Sequence, residues 1–353
     1  MRYFLFLQVG LALRPVTFGW LFALLFLLPV LVLGQGKGAA GVQDSTYAER
    51  LGYPKGARVL ILHVDDAGMS WESNEGAENA LTRGAANSVS VMMPCPWVPG
   101  FVAWLKKHPE TDAGLHLTLT AEWVAYRWVP LAGRKAVPGL VDSTGCLWAS
   151  AQQVATHASA DEIEMEITAQ LDRARAMGFE PTHLDTHMGT VFATPEFLKR
   201  YMQLGMKNHI PVLLPGGAGR LIQRENMLPD AQMVQMHALG RMLWDAGLPV
   251  LDDLHGSSYN WKMPDSVAGD DVKLDRYRTA KYIEALHSLQ PGVTMMIMHC
   301  SDASPAFGRI SDSGPLRRGD MLAMLNPAFK QALKEEGIVL TTWRELMRRR
   351  GRR

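Results

Sequence analysis

Eight short apolar runs, at 58–64, 88–94, 113–119, 181–186, 209–214, 248–254, 292–299 and 338–343, recur through the chain with helical patterns between several of them. Runs of this length bounded by turn residues read as buried strands. The helices between them are well marked. Ser159 and Glu162 form a capping box ahead of Ile163, Ile167, Leu171 and Ala174, which share one face at helical spacing, and Gly178 stops the run. Thr194-Pro195 and Asn326-Pro327 each set a capping side chain before a proline at the first helical position, and Gly337 closes the second of these helices. Eight strands interleaved with helices predict an α/β chain folded as a parallel β/α barrel.

A barrel of this kind places its chemistry at the C-terminal ends of the strands. Asp65 and Asp66, His187, Asp252 and Asp253, and His299 all fall at such ends in this reading, and His116 lies late in its own strand. The segment 181–190, PTHLDTHMGT, sets His183 and His187 either side of Asp185. Neutral imidazole is a leading ligand for catalytic divalent metals, and such sites draw their other ligands from distant segments. VLILHVDDAG at 59–68 ends an apolar run in Asp65 and Asp66, and DAGLHLTLT at 112–120 carries His116, so Asp, His and His could form an open metal site. Read alone, the two aspartates could cap a helix starting near 70–73, and His116 between Leu115 and Leu117 could be a core histidine. A strand end offers no helical ligand pair at four-residue spacing, so only one of His183 and His187 need bind metal.

These segments, in this order, resemble the YdjC-like family of carbohydrate deacetylases, the ChbG or chito-oligosaccharide deacetylase family. The family pattern is an apolar strand ending in (N)ADDFG, then N-x-G, VxSxSxM, GLHLxL and HLDSHxHxH. Here these stand as HVDDAG, Asn74-Glu75-Gly76, SVSVMM at 88–93, GLHLTL at 114–119 and HLDTHMGT at 183–190. The likeness spans about residues 58–215 and thins beyond. Ala67 stands in place of the Phe of DDF, and Thr190 in place of the motif's last His.

The resemblance implies a distorted (β/α) barrel of seven or eight strands, related in shape to NodB-type deacetylases. It implies a metal-dependent hydrolase that removes N-acetyl groups from an amino-sugar oligosaccharide or glycoconjugate. Asp66, His116 and His187 take the ligand positions, and Asp65 is the expected general base. His299, in MMIMHCSD at a position resembling the family's late His-Pro-Gly, is the expected acid. Asp185 would orient a ligand histidine, while His183 and Asn74 are second-rank positions near ligands or substrate. A divalent ion there would polarise the acetamide carbonyl and lower the pKa of water. By resemblance the ion is magnesium; by ligand type the set suits zinc, manganese or cobalt.

Aromatic side chains suggest where sugar rings could stack: Trp123, Tyr126, Trp128 and Trp148 within 121–150, and Trp244, Tyr259 and Trp261 within 215–275. Two other classes stay open. One is a metal-independent glycosidase pairing Asp65 with Asp252 or Asp253; the other is a non-catalytic carbohydrate-binding protein.

With 36 basic against 35 acidic residues in 353, the net charge of +1 offers no field for nucleic acid or an anionic membrane. The basic run at 344–353 reads as a solvated helix end. From Val16 to Leu33 the chain is uncharged, which marks 1–34 as a signal peptide or, if uncleaved, a membrane anchor. Residues 35–57 read as a linker and 58–353 as a single catalytic domain, exported to the periplasm or exterior or held at the membrane. Homo-oligomerisation is left open. Cys95, Cys146 and Cys300 are too scattered for a zinc cluster and are expected as free thiols.

Overall fold

The computed structural model describes residues 45–352. The expected targeting segment 1–34 and residues 35–44 of the expected linker lie outside the described residues. Among the described residues no helix is long and apolar enough to cross a membrane.

Among the described residues seven strands, all parallel, form the sheet: β1 Arg58–Ala67, β2 Ser88–Val91, β3 Ala113–Leu117, β4 Leu184–Thr186, β5 Asp253–His255, β6 Gly292–Met298 and β7 Val339–Leu340. Their order is β4-β3-β2-β1-β6-β5, with β7 on the start of β1. β1 is central because its apolar run is buried on both faces: every residue from Val59 to Ala67 is buried. It pairs with β6 from Arg58↔Gly292 to Val64↔Met298, and its far end pairs with β2.

The segment 211–217 brings the two outer strands round to each other. Leu184 bridges Val212 and Pro215 bridges Leu251, with the Gly217 amide donating to the Leu251 carbonyl at 3.0 Å. The predicted strand at 209–214 is therefore reduced to single bridges. Pro211 and Pro215 lack the amides that a ladder there would need, and the barrel closes in a distorted form.

The strand predicted at 248–254 is displaced: β5 begins at Asp253, where that strand was expected to end. Asp252 accepts from the amides of Tyr47, Ala48 and Val293 at 2.8, 3.0 and 2.8 Å, beside the first residues of β6. Asp253 accepts from Leu221 and Ile222 at 2.8 and 3.1 Å and caps the helix Arg220–Asn226. Both carboxylates thus serve backbone amides, away from the C-terminal mouth.

The helix signals act as their chemistry dictates. Ser159 and Glu162 form the reciprocal capping box of helix Ala160–Ala176, which buries Ile163, Ile167, Leu171 and Ala174. Thr194 and Asn326 cap Pro195–Asn208 and Pro327–Glu335. Such caps are each worth about 1 kcal/mol. Cys95 and Cys300 are buried free thiols, and Cys146 is also free.

Candidate metal centre

The end of β1 departs from regular strand geometry at the aspartates. Its register against β2 shifts between Val64 and Ala67, and Asp66 adopts φ 69°, a left-handed conformation costly for a side-chain residue. The turn is held in place from several sides. Gly68 has φ 86° and a Cβ there would lie 2.6 Å from Val98 Cγ2, so only glycine fits. Asn74 Oδ1 accepts from the Gly68 amide at 2.7 Å, while its Nδ2 donates to the Trp97 carbonyl at 3.1 Å. Asn74 therefore fastens the turn to the loop after β2 and does not line the cavity.

His116 on β3 stands in register with Asp185 on β4. Its Nδ1–H donates to Asp185 Oδ1 at 2.8 Å, so Nε2 is the nitrogen that the neutral ring would turn to an ion. His187 opens the 3-10 turn His187–Phe192, in which Met188 and Gly189 are left-handed. Its Nε2–H faces both oxygens of Glu122 at 3.1 Å, so Nδ1 is the nitrogen left to bind an ion once the ring gives up its second proton.

The free atoms converge. Asp66 Oδ1 lies 3.2 Å from His116 Nε2 and 3.3 Å from His187 Nδ1, and the two nitrogens are 3.3 Å apart. Asp66 Oδ1 is buried and has no hydrogen-bond partner. Donors at about 2.1 Å from one divalent ion stand roughly 3.0 Å apart in octahedral and 3.4 Å in tetrahedral geometry, so this near-equilateral triangle fits a single ion. The imidazoles and carboxylates hold one another in their charged forms. Burial works against charge on His187, yet Glu122 and Asp66 outweigh it and raise its pKa to about 9. Burial likewise opposes the charge on Asp66, but Arg317 and the two histidines hold its carboxyl well below the usual range.

A neighbouring group, His63, His183 and Asp185, is less regular. His63 Nε2 is 2.8 Å from Asp185 Oδ2, whereas His183 Nε2 is 3.9 Å away, and all three residues are fully enclosed. His183 stacks on Trp343 with ring centroids 5.3 Å apart, and its ring fills the space over Gly114, where a Cβ would lie 2.5 Å from it. Burial and the neighbouring His63 lower its pKa to about 4, leaving it neutral.

Asp65 faces a different way from Asp66. Its Oδ1 is 3.2 Å from His63 Nε2, and its Oδ2 lies 3.8 Å from both His116 Nε2 and His299 Nε2. His299 follows β6, packs edge-on against Tyr259 at 4.8 Å, and takes its backbone position from Asp320, which accepts its amide at 3.0 Å. Burial lowers its pKa, against the pull of Asp66 and Asp65. Asp65, Asp66, His116, His187 and His299 line a cavity of about 270 Å³, together with Glu122, Trp123, Tyr259 and Arg317.

Sequence reasoning missed Glu122, Arg317 and His63. Arg317 Nη1 donates to Asp66 Oδ2 at 2.6 Å, so the second oxygen of Asp66 is occupied while the first is free. Of the aromatic candidates, Trp123 and Tyr259 line the cavity. Tyr126, Trp128 and Trp148 instead hold the 121–150 loop together, donating to the carbonyls of Met69, Thr120 and Gly139 at 2.6, 2.9 and 2.8 Å. Trp244 lies under Arg350 and Trp261 against Arg278, both outside the cavity wall. Counted from His183, the motif's later histidines fall on Gly189 and Val191, not on Thr190, whose hydroxyl donates to the His187 carbonyl at 3.0 Å. Ala67 is buried and outside the cavity wall.

The model of the family described as YdjC-like protein matches residues 59–335. The chain is 31% identical to a carbohydrate deacetylase of Thermus thermophilus over 287 residues, 81% of this chain and 93% of that one. It is 33% identical to a chitooligosaccharide deacetylase of Yersinia enterocolitica over 133 residues, 37% of this chain and 49% of that one. A solved structure titled a putative cellobiose-phosphate cleavage protein, from Enterococcus faecalis, superposes with a TM-score of 0.65 at 20% identity, over 82% of this chain and 99% of that one, and so shares the fold. With the family match running from β1 to the helix before β7, and with a relative alike over most of both lengths, this chain belongs to the YdjC-like family.

Proposed function

We propose that the chain is a carbohydrate deacetylase that uses a divalent ion held by Asp66, His116 and His187 to remove N-acetyl groups from an amino-sugar oligosaccharide or glycoconjugate. The observation that carries this reading is the triangle of three converging donor atoms, 3.2 to 3.3 Å on each side, at the wall of a cavity. An ion bound there would polarise the acetamide carbonyl and make a water acidic enough to attack near neutral pH.

The protein's own groups divide the remaining work. Asp65, beside the triad but outside it, takes the proton from the attacking water. His299, 3.8 Å from Asp65 Oδ2 and with its pKa lowered by burial, is the group positioned to take up that proton and hand it to the leaving amine. Asp185 fixes His116 in the tautomer that presents Nε2, and Glu122 does the same for Nδ1 of His187. Trp123 and Tyr259 supply flat faces for a sugar ring. Two nitrogens and one oxygen suit zinc, cobalt or manganese by donor chemistry, while the resemblance points to magnesium.

A glycosidase built on Asp65 with Asp252 or Asp253 finds no support, since both of the latter are spent on backbone amides. The test is to incubate the purified full-length chain with N-acetylated oligosaccharides and to measure acetate and new reducing ends separately, with and without a chelator. Acetate alone, lost with the chelator and restored by one divalent ion, is the expected result. Reducing ends without acetate would make it a glycosidase, and acetate release indifferent to the chelator would remove the ion from the reading.

A further inference from the structure

A fully buried imidazole, His63, lies on β1 two residues before Asp65. The two-residue strand period sets both side chains on one face. His63 Nε2 stands 2.8 Å from Asp185 Oδ2, 3.2 Å from Asp65 Oδ1 and 3.1 Å from Ser90 Oγ, while Nδ1 lies 2.9 Å from Ser88 Oγ. Asp185 uses its other oxygen for His116 Nδ1 at 2.8 Å. One imidazole thus stands at ion-pair distance from two carboxylates, with its hydrogen bonds going to Ser88 and Ser90 and with Asp185 Oδ2 lacking an aligned hydrogen bond of its own.

We propose that His63 is a positioning residue that ties Asp65 to Asp185, so that the base and the ligand His116 keep one fixed relation to each other. The roles of Asp65 and His116 rest on the reading given under Proposed function. Volume alone does not account for His63. An apolar side chain of equal size would leave Asp65 Oδ1 and Asp185 Oδ2 enclosed without their nearest donor. The alternatives are poor: His183 Nε2 is 3.9 Å from Asp185 Oδ2, beyond hydrogen-bond reach, and Ser90 Oγ is 3.5 Å from Asp65 Oδ1. Electrostatics agree with the geometry. Burial disfavours a charge on His63, but Asp185 and Asp65 outweigh it and raise its pKa to about 9, which favours the protonated ring.

Removing a partner of this kind typically costs about 10- to 100-fold in metal affinity or activity. The test compares His63→Leu, which keeps bulk but no donor, with His63→Gln, whose amide can set an N–H where Nε2 was. Cobalt(II) affinity of the full-length chain, acetate release at saturating metal and thermal unfolding are measured for each. His63→Leu is expected to bind cobalt(II) at least about tenfold more weakly and to lose turnover with little change in KM, while His63→Gln recovers most of both. A folded His63→Leu with unchanged affinity and turnover overturns the proposal, and so does a His63→Gln as impaired as His63→Leu. Should His63→Leu not fold, Ser88→Ala, which frees Nδ1 and leaves the ring in place, is expected to weaken cobalt(II) binding several-fold; unchanged binding there also overturns it. A wild-type chain that binds cobalt(II) but releases no acetate defeats the deacetylase reading instead, and the affinities still decide His63.

Discussion

Replacing Arg317 by Met separates a structural role for the Arg317–Asp66 pair from a metal site at Asp66. The guanidinium donates to Asp66 Oδ2 at 2.6 Å, with the two side chains 3% and 1% exposed, while Asp66 Oδ1 faces the free histidine nitrogens. Arg317→Met keeps most of the aliphatic stem but strands a buried carboxylate, a change that typically costs about 3–5 kcal/mol. For a domain of this size roughly 2–4 °C of Tm accompanies each kcal/mol, so the chelator-treated variant should melt about 10 °C below chelator-treated wild type. A divalent ion on Oδ1 supplies compensating positive charge, and the metal-saturated variant should lose less than half as much. Thermal unfolding of both proteins, with chelator and with saturating zinc, reads the difference. Equal losses in the two conditions would refute the reasoning, because Asp66 would then feel the guanidinium and not the ion.

Three further outcomes follow from the geometry. Asp65→Asn should keep its metal and lose about 10²- to 10⁴-fold in turnover, and metal loss equal to that of Asp66→Asn would show the two roles wrongly divided. Asp252→Ala should leave turnover per folded molecule unchanged while destabilising the protein by about 2–4 kcal/mol, because three buried amide donors lose their acceptor; a dead but stable variant would bring Asp252 back into the chemistry. A reporter fused after residue 57 should be active only when it functions outside the cytoplasm, since the uncharged run 16–33 is proposed to direct export, and a signal from a reporter confined to the cytoplasm contradicts that.

The parts legible in the sequence are those governed by local rules. β1 and β6 are long apolar runs, and the capping box at Ser159 depends on residues three apart, so both could be read directly. Asp66, His116 and His187 stood out because an order of short motifs marked them, although 50 and 71 residues separate them. Proline chemistry misled at 209–214 and 248–254: apolar content there is high, but Pro211, Pro215 and Pro249 deny the backbone a ladder, which shifted Asp252 and Asp253 to the wrong end. His63 could have been found, since strand alternation puts it on the face of Asp65. Arg317 could not: it sits next to Arg318 in an amphipathic helix, and only the packing of helix Gly314–Leu325 against the mouth buries one and leaves the other exposed enough to pair with Asp271 and Asp302. Glu122 carried a faint signal as the first acidic residue after the His116 strand.

Metal content after exhaustive dialysis, measured on Asp66→Ala, His116→Ala, His187→Ala and His183→Ala, tests the three-donor site most directly. Each of the first three removes one corner of the triangle and should leave the protein essentially empty. His183→Ala removes a ring whose Nε2 stands 3.9 Å from Asp185 Oδ2, and should retain close to one ion per chain. An empty His183→Ala beside a full His187→Ala would contradict the account.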